Sequence, residues 1–279
     1  MKKITLFTIA VTFISMGLFA QDNRSLNLKK GQKYVVENKI STKSSTEMQG
    51  QSMEANADIT STYNIEVKEV VADNYNLTNT VTAVKMNMTQ MGQEMNFDSE
   101  KKEDIDGPIG SALKDYIKQP KEVVIDKSGK IISQKTDEKA DSTNMIAKQL
   151  GNFEATGYGA DMAFESLPPN AKAGSTWTSK KDNAGISKTT NYTVKSINGN
   201  LATLSLSGDI TSDTKMENQG MEITTKTTGK FSGEEIVDIT TGVIQSNTST
   251  VDASGIIGVM GQELPTSSKI TSTTTVKVM

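Results

Sequence analysis

Apolar and polar residues alternate along much of the chain, with the period of two that places one set of side chains on a single face of a β-strand. Tyr34, Val36 and Ile40 follow this pattern. A longer run of apolar residues falls on odd-numbered positions: Met53, Ala55, Ala57, Ile59, Tyr63, Ile65 and Val67. The N-terminal region is therefore expected to contain long strands with one buried face.

The alternation changes phase once within the next predicted strand. Leu77, Val81 and Ala83 have odd numbers, and the apolar residues that follow have even numbers, starting at Val84. An extra residue in one strand of a pair produces such a shift. We therefore predict a β-bulge near Ala83 and Val84.

Four short segments combine glycine with Gln, Asn or Glu between flanking apolar residues, most of which are methionine. Glycine allows the positive φ angle of a tight turn, and the polar residues suit a tip that faces water. We interpret the methionines as packing residues, because no Cys or His supports a soft-metal site. The four predicted hairpin tips are residues 48–53, 91–95, 216–221 and 260–264.

Two parts of the chain resemble each other in the order and spacing of their residues, which indicates an internal duplication. Tyr63 precedes Gly92 by 29 residues, and Tyr192 precedes Gly220 by 28. Residues 123–132 and 235–244 also match, because each has a strand, a turn with Asp and Gly, and a returning strand. The sequence thus predicts two β pseudo-repeats.

The middle of the chain has helical periodicity in place of strand alternation. Pro168 and Pro169 then interrupt the chain, and the second β half begins near Gly174. Three segments are predicted to be helical: residues 108–118, 141–150 and 159–167. The fold class that follows is mainly β, with curved antiparallel sheets or an incomplete barrel formed by two pseudo-repeats. Two or three short helices are expected on its concave side.

These elements divide the chain into four segments. Residues 1–20 form a signal peptide, 21–106 an N-terminal β repeat, 107–170 a hairpin with a helical insert, and 171–279 a C-terminal β repeat. We expect residues 21–279 to fold as one unit. That length is enough to bury a core without disulfide bonds.

Residues 1–20 have the features of a secretory signal: Lys2 and Lys3, an apolar middle and a small residue, Ala20, at the end. We expect cleavage after Ala20 and a soluble mature chain in the periplasm or outside the cell. No later segment is apolar enough to predict a transmembrane helix. The chain has no cysteine for lipid attachment, so a lipoprotein is not expected.

The charge and composition argue against several classes of function. Without Lys2 and Lys3, the 30 basic residues fall to 28 against 33 acidic ones, a net charge of −5 that does not favour nucleic acid as a partner. The chain has no histidine, which removes the common catalytic triads and metal ligand sets. We interpret Asp104 with Asp106, and Glu234 with Glu235, as solvated charges. We therefore expect neither an enzyme nor a cofactor.

Several of these motifs carry a resemblance to a known family. The signal ending in Ala20, the start at residues 30–34, the Met-Gly-Gln tips and the opening at residues 174–177 resemble a family of uncharacterised exported proteins common in Bacteroidota. The architecture is more remotely similar to the LolA-like lipoprotein-carrier fold. That resemblance implies a curved antiparallel sheet that holds helices over a hydrophobic cavity.

The sequence leaves the function of this exported envelope protein open. One hypothesis is that a lipid or other apolar ligand binds in a cavity between the sheet and the helices, although the same residues could fill a closed core. The alternative is a structural or interaction module that docks on an envelope protein. The candidate ligand-lining residues are Tyr63, Ile65, Met86, Met88, Leu113 and Ile117.

Overall fold

The computed structural model describes residues 25–48, 50–90, 92–134, 158–183, 185–218, 221–259 and 261–279. Most of these residues belong to twelve strands: β1 (Lys33–Met48), β2 (Gln51–Val71), β3 (Asn74–Gln90), β4 (Gln93–Asp98), β5 (Lys121–Asp126), β6 (Ile131–Gln134), β7 (Thr176–Asn183), β8 (Ile186–Asn198), β9 (Leu201–Asn218), β10 (Met221–Asp238), β11 (Ile244–Val259) and β12 (Gln262–Val278). The helices in the described part of the chain are short: α1 (Lys102–Ile105), α2 (Pro108–Leu113) and α3 (Ala160–Ala163).

The twelve strands form one antiparallel sheet in the order β6-β5-β3-β2-β1-β12-β11-β10-β9-β8-β7, and β4 pairs with the far part of β3. Two meanders, one from each half of the chain, are joined where β1 pairs with β12. The sheet ends at β6 and β7 and does not close. The predicted mainly β class is confirmed.

Alternation gives the sheet an inner and an outer face. The inner face has the buried side chains of the core, such as Tyr34, Val36 and Ile65, and the outer face has exposed polar side chains, such as Lys39 and Lys43. The hydrophobic side chains on the inner face of each strand are removed from water when the sheet folds, and this burial stabilises the sheet.

The sheet curves around α3. Asp161 on α3 interacts electrostatically with Tyr63 on β2 and with Lys181 and Lys188 on β7 and β8. In the sheet, β2 and β8 are six strand positions apart, which is about 29 Å at the usual strand spacing of about 4.8 Å. Both strands can face one residue only if the sheet bends, which agrees with the predicted incomplete barrel.

The hairpin tips and the bulge are confirmed. At all four predicted tips the two strands pair up to residues that are three positions apart in sequence, for example Met48 with Gln51 and Val259 with Gln262. On β3, the register with β2 skips Thr82, which is one residue before the predicted bulge. The predicted start of the second β half near Gly174 also agrees with β7.

The two halves of the chain repeat the same hydrogen bonds at their first strands. The N–H of Gly31 donates to the carbonyl of Val67 at 2.8 Å, and that of Gly174 donates to Val194 at the same distance. Val67 is therefore equivalent to Val194, which makes Ile65 equivalent to Tyr192. The sequence comparison had placed Tyr63 opposite Tyr192, so the predicted repeat was right but its register was wrong by two residues.

The helical predictions need correction. A helix over residues 108–118 was predicted, but α2 ends at Leu113, because Ile117 pairs with Val81 and the Lys118 N–H donates to the Val81 carbonyl. The short turn predicted at 159–167 is present as α3. Residues 141–150 lie outside the described residues.

Candidate ligand site on the inner face

The six predicted lining residues lie together in the N-terminal core. Tyr63 and Ile65 on β2, Met86 on β3, Leu113 on α2 and Ile117 after it are buried. The sixth, Met88, is partly buried and packs against them. These residues form the continuous hydrophobic packing that joins the helices to the sheet.

Beyond this core, the inner face continues as a row of half-buried apolar side chains on the central strands. Ile40 lies on β1, Ile270 on β12 and Val251 on β11, and Val251 pairs with both Ile270 and Phe231. We call this row, together with Ile59 on β2 and Met88 on β3, the apolar strip. It lies between the N-terminal core and a smaller C-terminal core that contains Phe231.

The segment of α3 is fixed inside the curve of the sheet by close contacts. A Cβ atom on Gly159, whose φ angle is +98°, would lie 2.8 Å from Cγ of Tyr63, so glycine is needed at this approach. The ring of Phe164 packs edge-on against Tyr34, with 5.3 Å between the ring centres. The Glu165 N–H donates to the Gly242 carbonyl at 2.9 Å. These contacts direct Asp161 and Glu165 into the interior.

Ionisable side chains meet at the C-terminal end of this interior. Glu165 is 8% exposed and Glu235, on β10, is 4% exposed. The Tyr192 hydroxyl donates to Oε2 of Glu165 at 2.9 Å, and Nδ2 of Asn247 donates to Oε2 of Glu235 at 2.8 Å. We call these residues, with Asp161, Lys181 and Lys188, the buried polar cluster.

Some polar atoms of the cluster lack partners. Oδ1 of Asp161 and Oε1 of Glu235 are buried and make no hydrogen bond within the described residues. Trp177, whose ring stacks on Tyr192 with 4.8 Å between ring centres, likewise leaves its buried Nε1 without an acceptor there. Unsatisfied polar atoms in a low-dielectric interior are costly, so the cluster is not explained by fold stability alone.

The two lysines of the cluster lie side by side on the inner face. Lys181 on β7 pairs in register with Lys188 on β8. The ammonium of Lys188 lies 4.5 Å from the ring centre of Phe231. Among the described residues Lys188 has no hydrogen-bonding acceptor, and its charged form is stabilised by this aromatic face and by the nearby carboxyl groups of Asp161, Glu235 and Glu165.

Burial changes the ionisation of the cluster. It raises the pKa of Glu235 to about 8, with a further increase from the neighbouring Glu165. It also raises the pKa of Asp161 and lowers that of Lys188, which Lys181 lowers further by charge repulsion. Each of these shifts favours the uncharged form of its group.

The expectation that Glu234 and Glu235 are both solvated is therefore wrong for Glu235. Glu234 is exposed and pairs with Lys195 at 2.9 Å, but Glu235 points to the inner face. Strand parity offered a signal, since Glu235 shares its parity with the buried Phe231 and Val237. For the other pair, Oδ2 of Asp104 in α1 accepts a hydrogen bond from the Asp98 N–H and so connects α1 to the end of β4.

An open depression of about 500 Å³ lies on the sheet where β2, β1, β12 and β11 adjoin. Most of the residues that line it have polar side chains: Lys43, Ser44, Ser45, Glu54, Asn56, Asp252, Ala253, Ser254, Ser267, Ser268 and Lys269. None of the six predicted lining residues contributes to this depression.

The described residues include no helix that is long and apolar enough to cross a membrane.

These features define a mainly β protein whose open antiparallel sheet curves around a short helical segment. The chain belongs to a family of unknown function, DUF6263, whose model matches residues 72–244. No curated protein was found to be similar in sequence.

Solved structures show likeness at the level of fold. A structure described as "Lipid-protein interactions in lipovitellin" is similar with a TM-score of 0.51 and 12% identity, over 91% of this chain and 26% of that one. The chain thus spans about a quarter of the length of that protein. An outer membrane channel from Pseudomonas putida F1 matches with a TM-score of 0.26 and 7% identity, over 91% of this chain and 98% of that one.

Proposed function

We propose that this protein binds a lipid or another apolar ligand on the inner face of its sheet. The observation that carries the proposal is the apolar strip, whose side chains remain half-buried although they lie between two closed cores. An acyl chain on the strip would remove this apolar surface from water, at a gain of about 25 cal/mol per Å².

The shape of the strip suits an elongated ligand. It runs across five neighbouring strands from β11 to β3, or about 19 Å at the usual strand spacing of about 4.8 Å. An extended acyl chain has a comparable length. The six residues predicted from the sequence supply the closed core at one end of the strip, and Met88 belongs to both.

The fold of lipovitellin gives independent but limited support. That structure concerns lipid–protein interactions, and its fold resembles the present one over 91% of this chain. At 12% identity the likeness concerns fold alone, so it shows that such a sheet can serve a lipid-binding protein and identifies no ligand.

The proposal includes an exported protein without catalytic activity. Residues 1–20 have the pattern of a secretory signal, and the cluster lacks histidine and cysteine, the usual general base and nucleophile. The N-terminal sequence of the protein recovered from cell fractions tests the export. A chain that retains residues 1–20 in the cytoplasm would contradict it.

Native mass spectrometry of the protein purified from its own cells, followed by lipid extraction, tests the binding. We expect a bound lipid that denaturation releases. A protein that carries no lipid, and that binds neither palmitate nor hexadecanol after purification, would overturn the proposal. Recovery with a stoichiometric envelope protein in place of lipid would favour the docking module.

A matched pair of variants locates the ligand. Ile270→Lys places a charge on the apolar strip, and Thr271→Lys places the same charge on the outer face one residue away. We expect Ile270→Lys to abolish ligand binding and Thr271→Lys to leave it unchanged. Equal binding by both variants, with circular dichroism showing both folded, would exclude the strip as the site.

A further inference from the structure

We infer that the ligand has an anionic head group, and that the Lys188 ammonium binds it at the end of the apolar strip. This inference rests on the proposed function and names the chemical class of the ligand. Its basis is the juxtaposition of a half-buried lysine, which has no hydrogen-bonding acceptor among the described residues, with the apolar row next to Phe231.

The position of Lys188 joins the polar cluster to the strip. Lys188 lies on β8, and its ammonium sits over Phe231 of β10, two strands away. Gly208 of the intervening β9 makes this possible, because a Cβ atom there would lie 2.8 Å from the Phe231 ring and would meet the Thr189 carbonyl. From Phe231 the inner face continues through Val251 to Ile270.

The ammonium of Lys188 is partly withdrawn from water. A buried amine is ordinarily paired or neutral, because the loss of its hydration is costly. Within the described residues, Lys188 makes no hydrogen bond to a carboxylate, and Oδ1 of Asp161 has no donor. Asp161, Glu235 and Glu165 act on Lys188 electrostatically, but an anionic ligand would give its ammonium the hydrogen-bonding acceptor that the described residues do not provide.

The charge balance of the cluster permits an anion despite its three carboxyl groups. Glu235, with a pKa of about 8, is mostly protonated at neutral pH, and burial raises the pKa of Asp161 as well. Lys181 and Lys188 both act electrostatically on Asp161 and Glu235. An anion bound beside Lys188 would oppose the effect of burial and favour the charged form of this lysine.

The carboxyl groups do not serve a metal ion instead. No group of three or more carboxylates in the described part of the chain is arranged to hold one. The cluster also contains an amine that would repel a cation. An anionic head with an acyl chain, either a carboxylate or a phosphate, is the chemistry that fits both parts of the site.

Three probes with the same chain length test the inference on the folded protein: palmitate, a palmitoyl lysophosphatidic acid, and hexadecanol as the neutral control. We expect at least one anionic probe to bind more tightly than hexadecanol by roughly tenfold to a hundredfold, the range of one charge-assisted hydrogen bond. The probe that binds more tightly identifies the carboxylate or the phosphate as the head group.

Variants of Lys188 assign the preference to this residue. Lys188→Met keeps the length of the side chain and should reduce anionic binding to the level of hexadecanol, and Lys188→Arg should retain the preference. Lys195→Met is the control, because Lys195 is on the same strand and exposed on the outer face. If Lys188→Met does not fold, the comparison of the three probes with the wild type still decides the inference.

The possible failures can be distinguished. If hexadecanol binds as tightly as both anions, or if folded Lys188→Met keeps the anionic preference, the head-group inference is wrong but the apolar site stands. If no probe binds, both proposals are wrong. The anionic preference should also fall above about pH 8, as Glu235 loses its proton, and in Glu235→Gln this decline should be smaller.

Discussion

Replacement of Glu235 by glutamine should stabilise the protein at high pH and have little effect at low pH. The side chain is buried on the inner face of β10, with Oε2 accepting a hydrogen bond from Asn247 and Oε1 lacking a partner within the described residues. Glutamine has the shape of the protonated acid and cannot ionise. The Glu235→Gln variant therefore keeps the neutral state that the interior prefers at every pH.

The magnitude follows from the pKa of Glu235. Burial and the neighbouring Glu165 raise it from 4.5 to about 8. Between these values the folded state keeps a proton that the unfolded state has released, and each pH unit lowers the free energy of unfolding by about 1.36 kcal/mol. The penalty is absent below pH 4.5 and complete above about 8, with a total on the order of 5 kcal/mol.

The assay is denaturant unfolding of the wild type and Glu235→Gln at intervals from about pH 5 to about pH 9, the range in which the linked proton is lost. The difference between the two curves isolates Glu235, because the other titrating groups are common to both proteins. Glu234→Gln is the matched control, since Glu234 is exposed and should change stability by less than about 1 kcal/mol at any pH. Parallel curves for the wild type and Glu235→Gln would refute the reasoning.

Three further predictions use the same unfolding measurement at neutral pH. Leu113→Ala, at a fully buried position on α2, should cost about 2–5 kcal/mol, and a loss below about 1 kcal/mol would mean that α2 does not close the core. Asp126→Ala and Asp238→Ala should each cost about 1–2 kcal/mol, because each carboxylate accepts hydrogen bonds from backbone N–H groups in equivalent turns; strongly unequal losses would contradict that equivalence. Gly208→Ala should cost about 1–3 kcal/mol through the contacts with Thr189 and Phe231, and unchanged stability would show that the strands relax around the added methyl group.

Much of the sheet could be predicted from the sequence because apolar and polar residues alternate along each strand and so show which side chains share a face. The odd-numbered residues of β2 do form its inner face, and the predicted hairpin tips do lie between paired strands. Both features depend on neighbours along the chain. The pairing of β1 with β12, which joins the two halves, depends on residues at opposite ends of the chain and has no local signal.

The errors arose where long-range contacts override a local pattern. Ile109, Leu113 and Ile117 have helical spacing, but the chain leaves the helix after Leu113 because Ile117 pairs with Val81 on β3. The register of the repeat was taken from the shared tyrosines, Tyr63 and Tyr192, whereas the hydrogen bonds of the sheet make Ile65 the equivalent of Tyr192. The match of one tyrosine with another was therefore a weaker guide to the alignment of the two repeats than the backbone hydrogen bonds between their strands.

The buried polar cluster was not predicted because its members come from four strands and from the segment that begins with α3, which are far apart in the sequence. Ile236 and Val237 are both apolar, so the sequence of β10 alone leaves open which parity faces inward. Comparison of the two pseudo-repeats resolves that ambiguity. Val123 on β5 pairs with Leu77 and Glu235 on β10 pairs with Leu204, so these two residues occupy equivalent inner positions.

This equivalence explains how one duplicated sheet can both hold a core and contain a site. In the N-terminal copy, Val123 and Ile65 occupy these inner positions and are buried in the hydrophobic core. In the C-terminal copy, Glu235 and Tyr192 stand at the same positions and bring ionisable groups inside. Such groups cost stability, and the apolar packing of the first copy offsets that cost because the two copies share one continuous sheet. The division between a copy with a closed core and a copy with ionisable groups inside is therefore a property of the whole sheet, and the proposed ligand site lies where the apolar strip meets the second copy.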